Sequence, residues 1–211
     1  MRIGLYGGSF DPIHRGHIEP IKDTMALAQL DRVIYLPTAN PPHKGDRSLA
    51  PAWMRYAMVE IALLREERLH ASAFEMSLDR PAYTVETLEH HVTTMPNDEL
   101  FLIIGLDSLA AFHRWRNWQR IVDLVTVLAM ARPGYEAADV EPKLVPELQE
   151  LCSTGRIRVL NNRPWKASST EIRAVLRQGA DPTAAALPAL VLDYIHKYAL
   201  YRDGSLEPDF N

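Results

Sequence analysis

The chain has 211 residues, enough for one α/β domain or for one domain with a small addition. Its apolar share of 47% and charged share of 24% are ordinary for a globular protein, and its formal net charge of −4 argues against a general positive field for nucleic acid or an anionic membrane. A single cysteine, Cys152, excludes an internal disulfide and a zinc site built from cysteines, and the sequence shows neither a signal-peptide pattern nor a membrane-length apolar run, so we expect a soluble, cytoplasmic protein.

Short apolar runs alternate with helical patterns along the chain. Strands are indicated by short apolar runs, and helices by apolar residues that recur three or four positions apart. In chain order, these patterns predict elements at 3–6 (strand), 18–28 (helix), 33–36 (strand), 52–64 (helix), 69–72 (strand), 84–92 (helix), 100–104 (strand), 125–131 (strand), 157–160 (strand), 168–176 (helix) and 187–198 (helix).

Capping residues refine the predicted helices. Thr84 is expected to be the N-cap of its helix, and Ser168 with Glu171 forms the pattern of a capping box. Gly179 is expected to end the helix that follows Ser168. The stretch 134–155 has the weakest pattern and is expected to be a surface excursion.

Strands separated by helices, without hairpin signals, predict parallel βαβ units. The fold class is therefore α/β, with a doubly wound, mostly parallel sheet and a helical C-terminal end. No internal repeat or linker is visible in the sequence. We expect a single domain over residues 1–211, with its helical C-terminal part at about 168–202.

The densest chemical signal follows the first strand and precedes the first helix, in the segment 7–17 (GGSFDPIHRGH). Ligands of open parallel sheets bind outside the carboxyl ends of strands, and helix N-termini attract phosphates. Gly7 and Gly8 leave room for backbone amides to approach an anion, and His14 and His17 can donate hydrogen bonds to phosphate oxygens. Taken singly, the glycines could form only a tight turn, and the histidines could bind a metal, although no third ligand lies nearby.

Segment 7–17 resembles the HxGH signature of the nucleotidyltransferase superfamily, which is related to the HIGH motif of class I aminoacyl-tRNA synthetases. A second signature of that superfamily, a serine- and threonine-rich motif before a late helix, is matched by 168–173 (SSTEIR). The resemblance implies a Rossmann-like nucleotidyltransferase fold.

Further segments resemble the bacterial nicotinate mononucleotide adenylyltransferases. They are 41–44 (PPHK), 82–88 (AYTVETL), 104–108 (IGLDS) with Trp115 following, 131–135 (ARPGY) and the ending 187–201. This resemblance implies adenylyl transfer from ATP to nicotinate mononucleotide, forming nicotinate adenine dinucleotide and pyrophosphate in NAD biosynthesis. Two departures lie near the expected nucleotide pockets: Thr38-Ala39 after the second strand, and Ala167 before the paired serines.

The same resemblance implies the site residues. The expected catalytic residues are His14, His17, Lys44 and Arg173. The residues expected to bind ATP are Gly7, Gly8, Ser9, Phe10, His14, His17, Gly105, Asp107, Arg132, Ser168, Ser169, Thr170 and Arg173. The residues expected to bind nicotinate mononucleotide are Ser9, Phe10, Lys44, Thr84, Asp107, Trp115 and Arg116.

Each role has a physical reason and a simpler alternative. The indole of Trp115 stacked on a cationic pyridine ring gains about 0.5–2 kcal/mol, whereas Trp118 is our candidate for a core tryptophan. Lys44 can act as a point charge on phosphate or be a surface lysine. Thr84 can bind a carboxylate or only cap its helix, Asp107 can bind ribose or cap a helix, and Arg132 and Arg173 can be surface ion pairs.

The implied reaction is in-line attack of the mononucleotide phosphate on the α-phosphorus of ATP. A phosphate monoester is already anionic at neutral pH, so no general base is needed, and catalysis comes from positioning and charge stabilisation. Mg²⁺ is expected to be carried by ATP, with no metal site of the protein's own. The expected partners are ATP and nicotinate mononucleotide, with no nucleic acid or membrane, and a homo-oligomer is left open.

Alternative functions differ in substrate or in class. An adenylyltransferase for nicotinamide mononucleotide or for phosphopantetheine would keep the chemistry, although the phosphopantetheine enzymes lack the Trp115 segment. A non-catalytic nucleotide sensor could keep the fold and lose the chemistry. RNA binding is opposed by the negative net charge and by the lack of a basic stripe.

Overall fold

The computed structural model describes residues 1–39, 49–131, 134 and 137–202. The strands are β1 (Arg2–Gly8), β2 (Arg32–Pro37), β3 (Leu69–Ala71), β4 (Glu99–Gly105), β5 (Thr126–Met130) and β6 (Ile157–Leu160). The helices are α1 (Arg15–Ala28), α2 (Ala52–Leu63), α3 (Thr84–Thr94), α4 (Leu106–Leu109), α5 (Trp118–Leu124), α6 (Ala137–Val140), α7 (Pro146–Ser153), α8 (Ser169–Arg177) and α9 (Ala189–Lys197). None of these helices combines the length and the apolar character that crossing a membrane requires.

The strands form one sheet in the order β3-β2-β1-β4-β5-β6. The pairs β1–β4, β4–β5 and β5–β6 are parallel. The chain therefore moves outward from β1 in one direction and, from β4, in the other, which creates a topological switch point between β1 and β4. The predicted doubly wound, parallel α/β sheet is confirmed.

Contacts within the chain define two compact units. The first unit comprises the described residues of Met1–Gly7, Pro20–Ile34 and Tyr83–Trp165, and the second unit those of Gly8–Glu19, Tyr35–Ala82 and Lys166–Asn211. The expectation of a single domain stays a prediction.

The first unit is built on near-continuous apolar strands. The stretch Leu100–Ile104 of β4 is buried throughout, as expected for a strand that is covered on both faces. The register pairs Tyr6 of β1 with Ile103 of β4 and Gly105 of β4 with Met130 of β5. The carboxyl ends of these strands consequently lie side by side at one edge of the sheet.

The second unit combines the turn after β1 with α2, α8 and α9. Phe10 and Tyr35 are buried in its core, with ring centroids 5.6 Å apart. Helix α8 buries Ile172 and Leu176, which lie four positions apart and therefore share one face of the helix. It ends at Arg177, and Gly179 follows with φ +73°, so the predicted C-terminal glycine is confirmed.

Several element ends differ from the sequence-based expectation. Strand β1 continues through Gly7 and Gly8, because neighbouring strands supply hydrogen-bond partners that the local pattern does not reveal. Thr84 is the first residue of α3 and Tyr83 is its N-cap, since the amide of Tyr83 donates to Glu86 Oε2 at 3.2 Å. Ser168 is the N-cap of α8, as expected, but its side chain makes no capping hydrogen bond. The stretch expected to be a surface excursion contains the short helices α6 and α7.

Candidate functional site

The two histidines of the first motif lie at the start of α1 in the second unit. Their rings stack, with centroids 3.8 Å apart and planes inclined by 26°. A Cβ on Gly16 would come within 3.0 Å of the His14 ring and 3.2 Å of the Ala167 carbonyl oxygen, so a larger residue would disturb this stack. The glycine of the motif therefore makes room for His14.

The hydrogen bond of His17 fixes the position of its ring proton. The backbone amide of His14 donates to His17 Nδ1 at 3.3 Å, so Nδ1 acts as an acceptor. In the neutral ring the proton is then on Nε2, which makes Nε2 the donor that His17 can offer to an oxygen. Two stacked imidazolium cations would repel each other, and a bound anion would offset that repulsion.

The turn after β1 is held by its carbonyl groups. The carbonyl oxygen of Gly8 accepts a hydrogen bond from the amide of Thr38 at 2.9 Å, and that of Ser9 accepts one from Arg55 Nη1 at 2.7 Å. In a trans peptide the N–H points opposite to the C=O. The amides of Ser9 and Phe10 therefore point away from Thr38 and Arg55, which is the arrangement expected for a backbone anion site.

A buried carboxylate lies within the same motif. Asp11 is 1% exposed, and its Oδ1 accepts hydrogen bonds from Tyr201 Oη at 2.7 Å and from the amide of Ala50 at 3.1 Å. Arg173 Nη1 lies 3.5 Å from Asp11 Oδ2 and donates to the Asp11 carbonyl oxygen at 2.5 Å. Burial, reinforced by Asp11, raises the pKa of Tyr201 well above its ordinary value, so Tyr201 remains a hydroxyl donor.

The second motif packs against the first one within the second unit. Ser169 Oγ donates to the Pro12 carbonyl oxygen at 3.0 Å. Arg173 Nη2 also contacts Thr170 Oγ1 at 3.4 Å. The structure thus brings the serine- and threonine-rich motif and the HxGH-like motif together, as a shared phosphate site requires.

In the first unit, the start of α3 lies beside an arginine. The guanidinium carbon of Arg116 is 4.3 Å from the centre of the Tyr83 ring, which directly precedes Thr84. The N-terminal amides of a helix and a cation are both favourable partners for a carboxylate. The structure therefore places Arg116 against the residue that directly precedes Thr84.

Both tryptophans of the segment 112–118 pack on the same ring. Phe112 is fully buried, and its centroid is 5.3 Å from that of Trp115 and 6.2 Å from that of Trp118. Both tryptophans are half-buried. The expectation that Trp118 is a core residue is wrong, because Phe112 fills the interior position and leaves both indoles at the periphery.

The remaining predicted residues of the first unit lie at the carboxyl ends of β1 and β4. Gly7 is exposed, and a Cβ there would meet no atom within 4 Å. Gly105 is the N-cap of α4, and Asp107 is in the first turn of that helix. Asp107 is therefore not the helix cap of the alternative interpretation, and its carboxylate is placed where an acidic side chain is favourable.

Sequence comparison places these motifs in a family. A sequence model described as "Cytidylyltransferase-like" matches residues 5–175. A relative from Thermus thermophilus, named "Probable nicotinate-nucleotide adenylyltransferase", is 38% identical over 206 residues, which cover 96% of this chain and all of the relative. A protein of the same name from a Shewanella species is 36% identical, with 95% and 99% of the two chains covered. The chain belongs to the nicotinate-nucleotide adenylyltransferase family.

Solved structures agree on the fold of this nucleotidyltransferase family. The Plasmodium falciparum nicotinic acid mononucleotide adenylyltransferase, solved in complex with NaAD, superposes with a TM-score of 0.75 over 98% of this chain and 99% of that protein. The same protein in complex with APC gives a TM-score of 0.73. At 21% identity, these matches establish the nucleotidyltransferase fold that the sequence predicted.

Two residues expected in the adenylyltransferase site, Lys44 and Arg132, lie outside the described residues. Their roles stay predictions. The other expected site residues are distributed over the two units. The second unit holds Gly8, Ser9, Phe10, His14, His17, Ser168, Ser169, Thr170 and Arg173, and the first unit holds Gly7, Thr84, Gly105, Asp107, Trp115 and Arg116.

Sequence analysis missed a buried arginine that shapes the phosphate-side turn. Arg55 is 1% exposed and donates to the carbonyl oxygens of Ser9, Thr38, Ala39 and Ala50 at 2.7–2.9 Å. Burial lowers its pKa and the nearby Asp11 opposes this effect, but an arginine remains charged. The apolar residues Met54, Met58 and Val59 mark the buried face of α2, so an arginine at position 55 was a usable signal.

Asp11 and Tyr201 were also missed. Asp11 was part of the quoted motif without an assigned role, and no local pattern connects it to Tyr201. In the first unit, Asn162 is buried and exchanges two hydrogen bonds with the backbone of Ala131: it accepts from the amide at 2.7 Å and donates to the carbonyl at 3.2 Å. Asn162 thereby fixes the chain at the end of β5.

Proposed function

We propose that the protein transfers the adenylyl group of ATP to nicotinate mononucleotide, releasing pyrophosphate and forming nicotinate adenine dinucleotide. Membership of the nicotinate-nucleotide adenylyltransferase family supports this reaction. The observation that carries it is the joining of the two motifs within the second unit, where Arg173 contacts Asp11 and Ser169 contacts Pro12. Two sequence-distant motifs joined in this way supply several phosphate-binding groups at once.

Each of the phosphate-side groups has its own role in the proposed reaction. The amides of Ser9 and Phe10 donate to the reacting phosphates, and His14 and His17 offset the charge that develops on them. Arg173 with the turn of Ser168–Thr170 holds the departing pyrophosphate. The nucleophile is a phosphate oxygen that is already anionic, so these residues need only to position the reactants and to stabilise charge.

The pyridine-side groups define which mononucleotide is accepted. Trp115 stacks on the cationic pyridine ring, and the start of α3 at Thr84 with the nearby Arg116 receives the nicotinate carboxylate. The cation over the Tyr83 ring supports this assignment, because it favours an anionic group over a neutral amide. We therefore expect preference for the acid over nicotinamide mononucleotide.

Mg²⁺ is expected to accompany ATP. Within the described ranges, no group of three or more histidine, cysteine, aspartate or glutamate side chains is placed to hold a metal ion. Mg²⁺ bound to phosphate oxygens and water needs few protein ligands, so the residues present are compatible with an ion carried by the substrate. Bound there, it would neutralise charge on the triphosphate.

Three sequence-based expectations stay predictions. They are a cytoplasmic location, the absence of a nucleic-acid partner, and an oligomeric state that is left open. The family of the chain and the substrates proposed here are those of a small-molecule metabolic enzyme.

The decisive measurement is pyrophosphate release from ATP and Mg²⁺ by the purified protein, in parallel with nicotinate mononucleotide, nicotinamide mononucleotide and phosphopantetheine. Release that is fast with the acid and slow with the amide is the expected result. Faster release with the amide would keep the chemistry and overturn the carboxylate pocket. Release with none of the three, together with ATP binding, would indicate a nucleotide sensor.

A further inference from the structure

The carboxylate of Asp11 connects the C-terminal part of the chain to Arg173. Asp11 and Tyr201 are each at most 1% exposed, and 190 residues separate them. On one side the carboxylate receives the Tyr201 hydroxyl at 2.7 Å, and on the other its second oxygen faces Arg173 Nη1 at 3.5 Å. One hydrogen bond and one ion pair therefore connect Tyr201 to Arg173 through Asp11 inside the second unit, and we call these three side chains the Tyr201–Asp11–Arg173 network.

The backbone after α9 is shaped to bring Tyr201 inward. Ala199 and Tyr201 have φ angles of 50° and 65°, in the left-handed region that non-glycine residues rarely adopt. The amides of Ala199 and Leu200 donate to the carbonyl oxygens of His196 and Ile195 at 3.2 and 3.0 Å. These two hydrogen bonds form a Schellman end of α9, with Ala199 as the left-handed residue, and the chain then turns so that the Tyr201 ring is buried beside Asp11.

The hydrogen bonds of Asp11 determine how its carboxylate is oriented toward Arg173. Asp11 Oδ1 is occupied by Tyr201 and by the amide of Ala50, so rotation of the carboxylate would break two hydrogen bonds. This fixes Oδ2 toward Arg173, whose guanidinium is also held by the Asp11 carbonyl and by Thr170. A planar guanidinium with fixed partners has one orientation in which its other donors can meet a phosphate.

We propose that Tyr201 is a positioning residue that acts through Asp11 to orient Arg173 for the departing pyrophosphate. The proposal rests on the adenylyl transfer proposed above. The hydroxyl of Tyr201 touches no reactant in this account, so its loss should affect the chemical step through Arg173 alone. It should lower kcat and leave KM for nicotinate mononucleotide within about twofold, since the described contacts connect the Tyr201 hydroxyl through Asp11 to Arg173, which is not among the residues expected to bind that mononucleotide.

The test is Tyr201→Phe, which keeps the buried ring and removes only the hydroxyl. We expect kcat to fall about 5–50-fold, the range for losing one hydrogen bond to a charged group when most of the loss reaches the transition state. The matched control is Tyr194→Phe on α9, whose described contact is a ring contact with Tyr198. Its kcat should equal that of the wild type.

A double-mutant cycle separates positioning from a general structural effect. In an Arg173→Lys background, Tyr201→Phe should change kcat by less than about twofold, because the residue through which it acts is already altered. Equal effects of Tyr201→Phe in both backgrounds would overturn the proposal. Thermal unfolding of each variant records whether it is folded at the assay temperature.

If Tyr201→Phe does not fold, Asp11→Asn tests the residue through which Tyr201 is proposed to act on Arg173. This substitution keeps the shape of the carboxyl group and removes its charge. A wild-type kcat in Asp11→Asn would overturn the proposal. Failure of the reaction itself is distinguishable, because the wild-type protein would then release no pyrophosphate with ATP and nicotinate mononucleotide. A wild type that is active, with a Tyr201→Phe variant of equal kcat, would refute only the positioning role.

Discussion

The phosphate-side turn and the pyridine-side segment of this protein are constructed from different interactions. The turn of residues 8–14 is held by buried charged groups, among them Asp11 and Arg55, which are each 1% exposed. The segment 112–118 is held by aromatic packing around Phe112, with two half-buried tryptophans. Buried charges tolerate little rearrangement, whereas aromatic packing at a periphery can adapt to a ligand.

This difference predicts which properties substitutions in each region should change. A group that stabilises charge on a reacting phosphate has to be held in position before the substrate binds. A buried hydrogen-bond network provides the rigidity that this requires. A group that selects among pyridine rings only needs an accessible face. We therefore expect large effects on stability and turnover from the turn, and graded effects on substrate affinity from the aromatic segment.

Replacement of Arg55 should give the largest effect. Arg55→Met leaves four buried backbone carbonyl oxygens without their donor and removes one of the two cations near Asp11, so we expect the free energy of unfolding to fall by about 3–5 kcal/mol. Urea denaturation measures this change. The exposed Arg65, just after α2, provides the control Arg65→Met, which should stay within about 0.5 kcal/mol of the wild type. An unchanged unfolding midpoint for Arg55→Met would show that buried charged groups do not hold the phosphate-side turn.

Replacement of His17 should reduce catalysis without a comparable loss of stability. His17→Ala removes a donor to the reacting phosphates, so turnover should fall about 10²–10³-fold. Steady-state pyrophosphate release gives this value, and a thermal scan shows that the fold persists. His70→Ala, at an exposed histidine of β3, should keep normal turnover. Near-normal turnover in His17→Ala would exclude His17 from the chemistry.

The two tryptophans on Phe112 allow a matched test of the pyridine side. Loss of about 0.5–2 kcal/mol of cation–π attraction predicts that Trp115→Ala raises KM for nicotinate mononucleotide about 2–30-fold, with a smaller change for ATP. Trp118→Ala removes an indole with similar exposure and the same neighbour. Should both variants raise KM equally, the stacking role would not belong to Trp115 in particular.

The smallest effect concerns pH and a buried histidine of α3. Burial lowers the pKa of His91 below its ordinary value of 6.5, and its Nδ1 lies 2.8 Å from the Thr87 carbonyl oxygen. As pH falls below 6.5, the unfolded chain takes up a proton that the folded chain binds less readily, so the free energy of unfolding decreases toward the lower folded pKa. Above pH 6.5 this histidine contributes no pH dependence.

His91→Gln should therefore flatten the decrease of the free energy of unfolding below about pH 6.5, because the slope of that free energy against pH loses the contribution of at most one proton. Urea denaturation at several pH values gives the slope, and His70→Gln at an exposed position serves as the control. An identical slope in wild type and His91→Gln would show that His91 titrates alike in both states.

The sequence predicted the parts of the molecule that depend on local patterns. The parallel strands follow from apolar runs such as residues 100–104, and α8 follows from Ser168 and the spacing of Ile172 and Leu176. Both motifs could be recognised because their residues are contiguous. Arg173 was expected to bind phosphate from family resemblance, and its contact with Asp11 shows that it lies beside the first motif.

What the sequence could not provide depends on distant contacts. In the sequence, nothing distinguishes Tyr201 from any other aromatic residue that follows a helix. Its hydrogen bond with Asp11 is visible only in the folded structure. Trp118 was misjudged because the choice of the interior ring depends on Phe112, whose burial the local pattern leaves undetermined. Strand β1 extends through the paired glycines because a sheet supplies partners that a single segment does not show.

The pairing of Asp11 with Tyr201 also bears on synthesis of the protein. The ribosome makes the phosphate-side turn before the hydroxyl that completes its hydrogen bonds, which is translated 190 residues later. At about 5–20 residues per second, the Asp11 carboxylate waits about 10–40 s for its partner. A nascent chain consequently acquires its finished turn only after Tyr201 has been made, which delays catalytic competence until the segment after α9 is present.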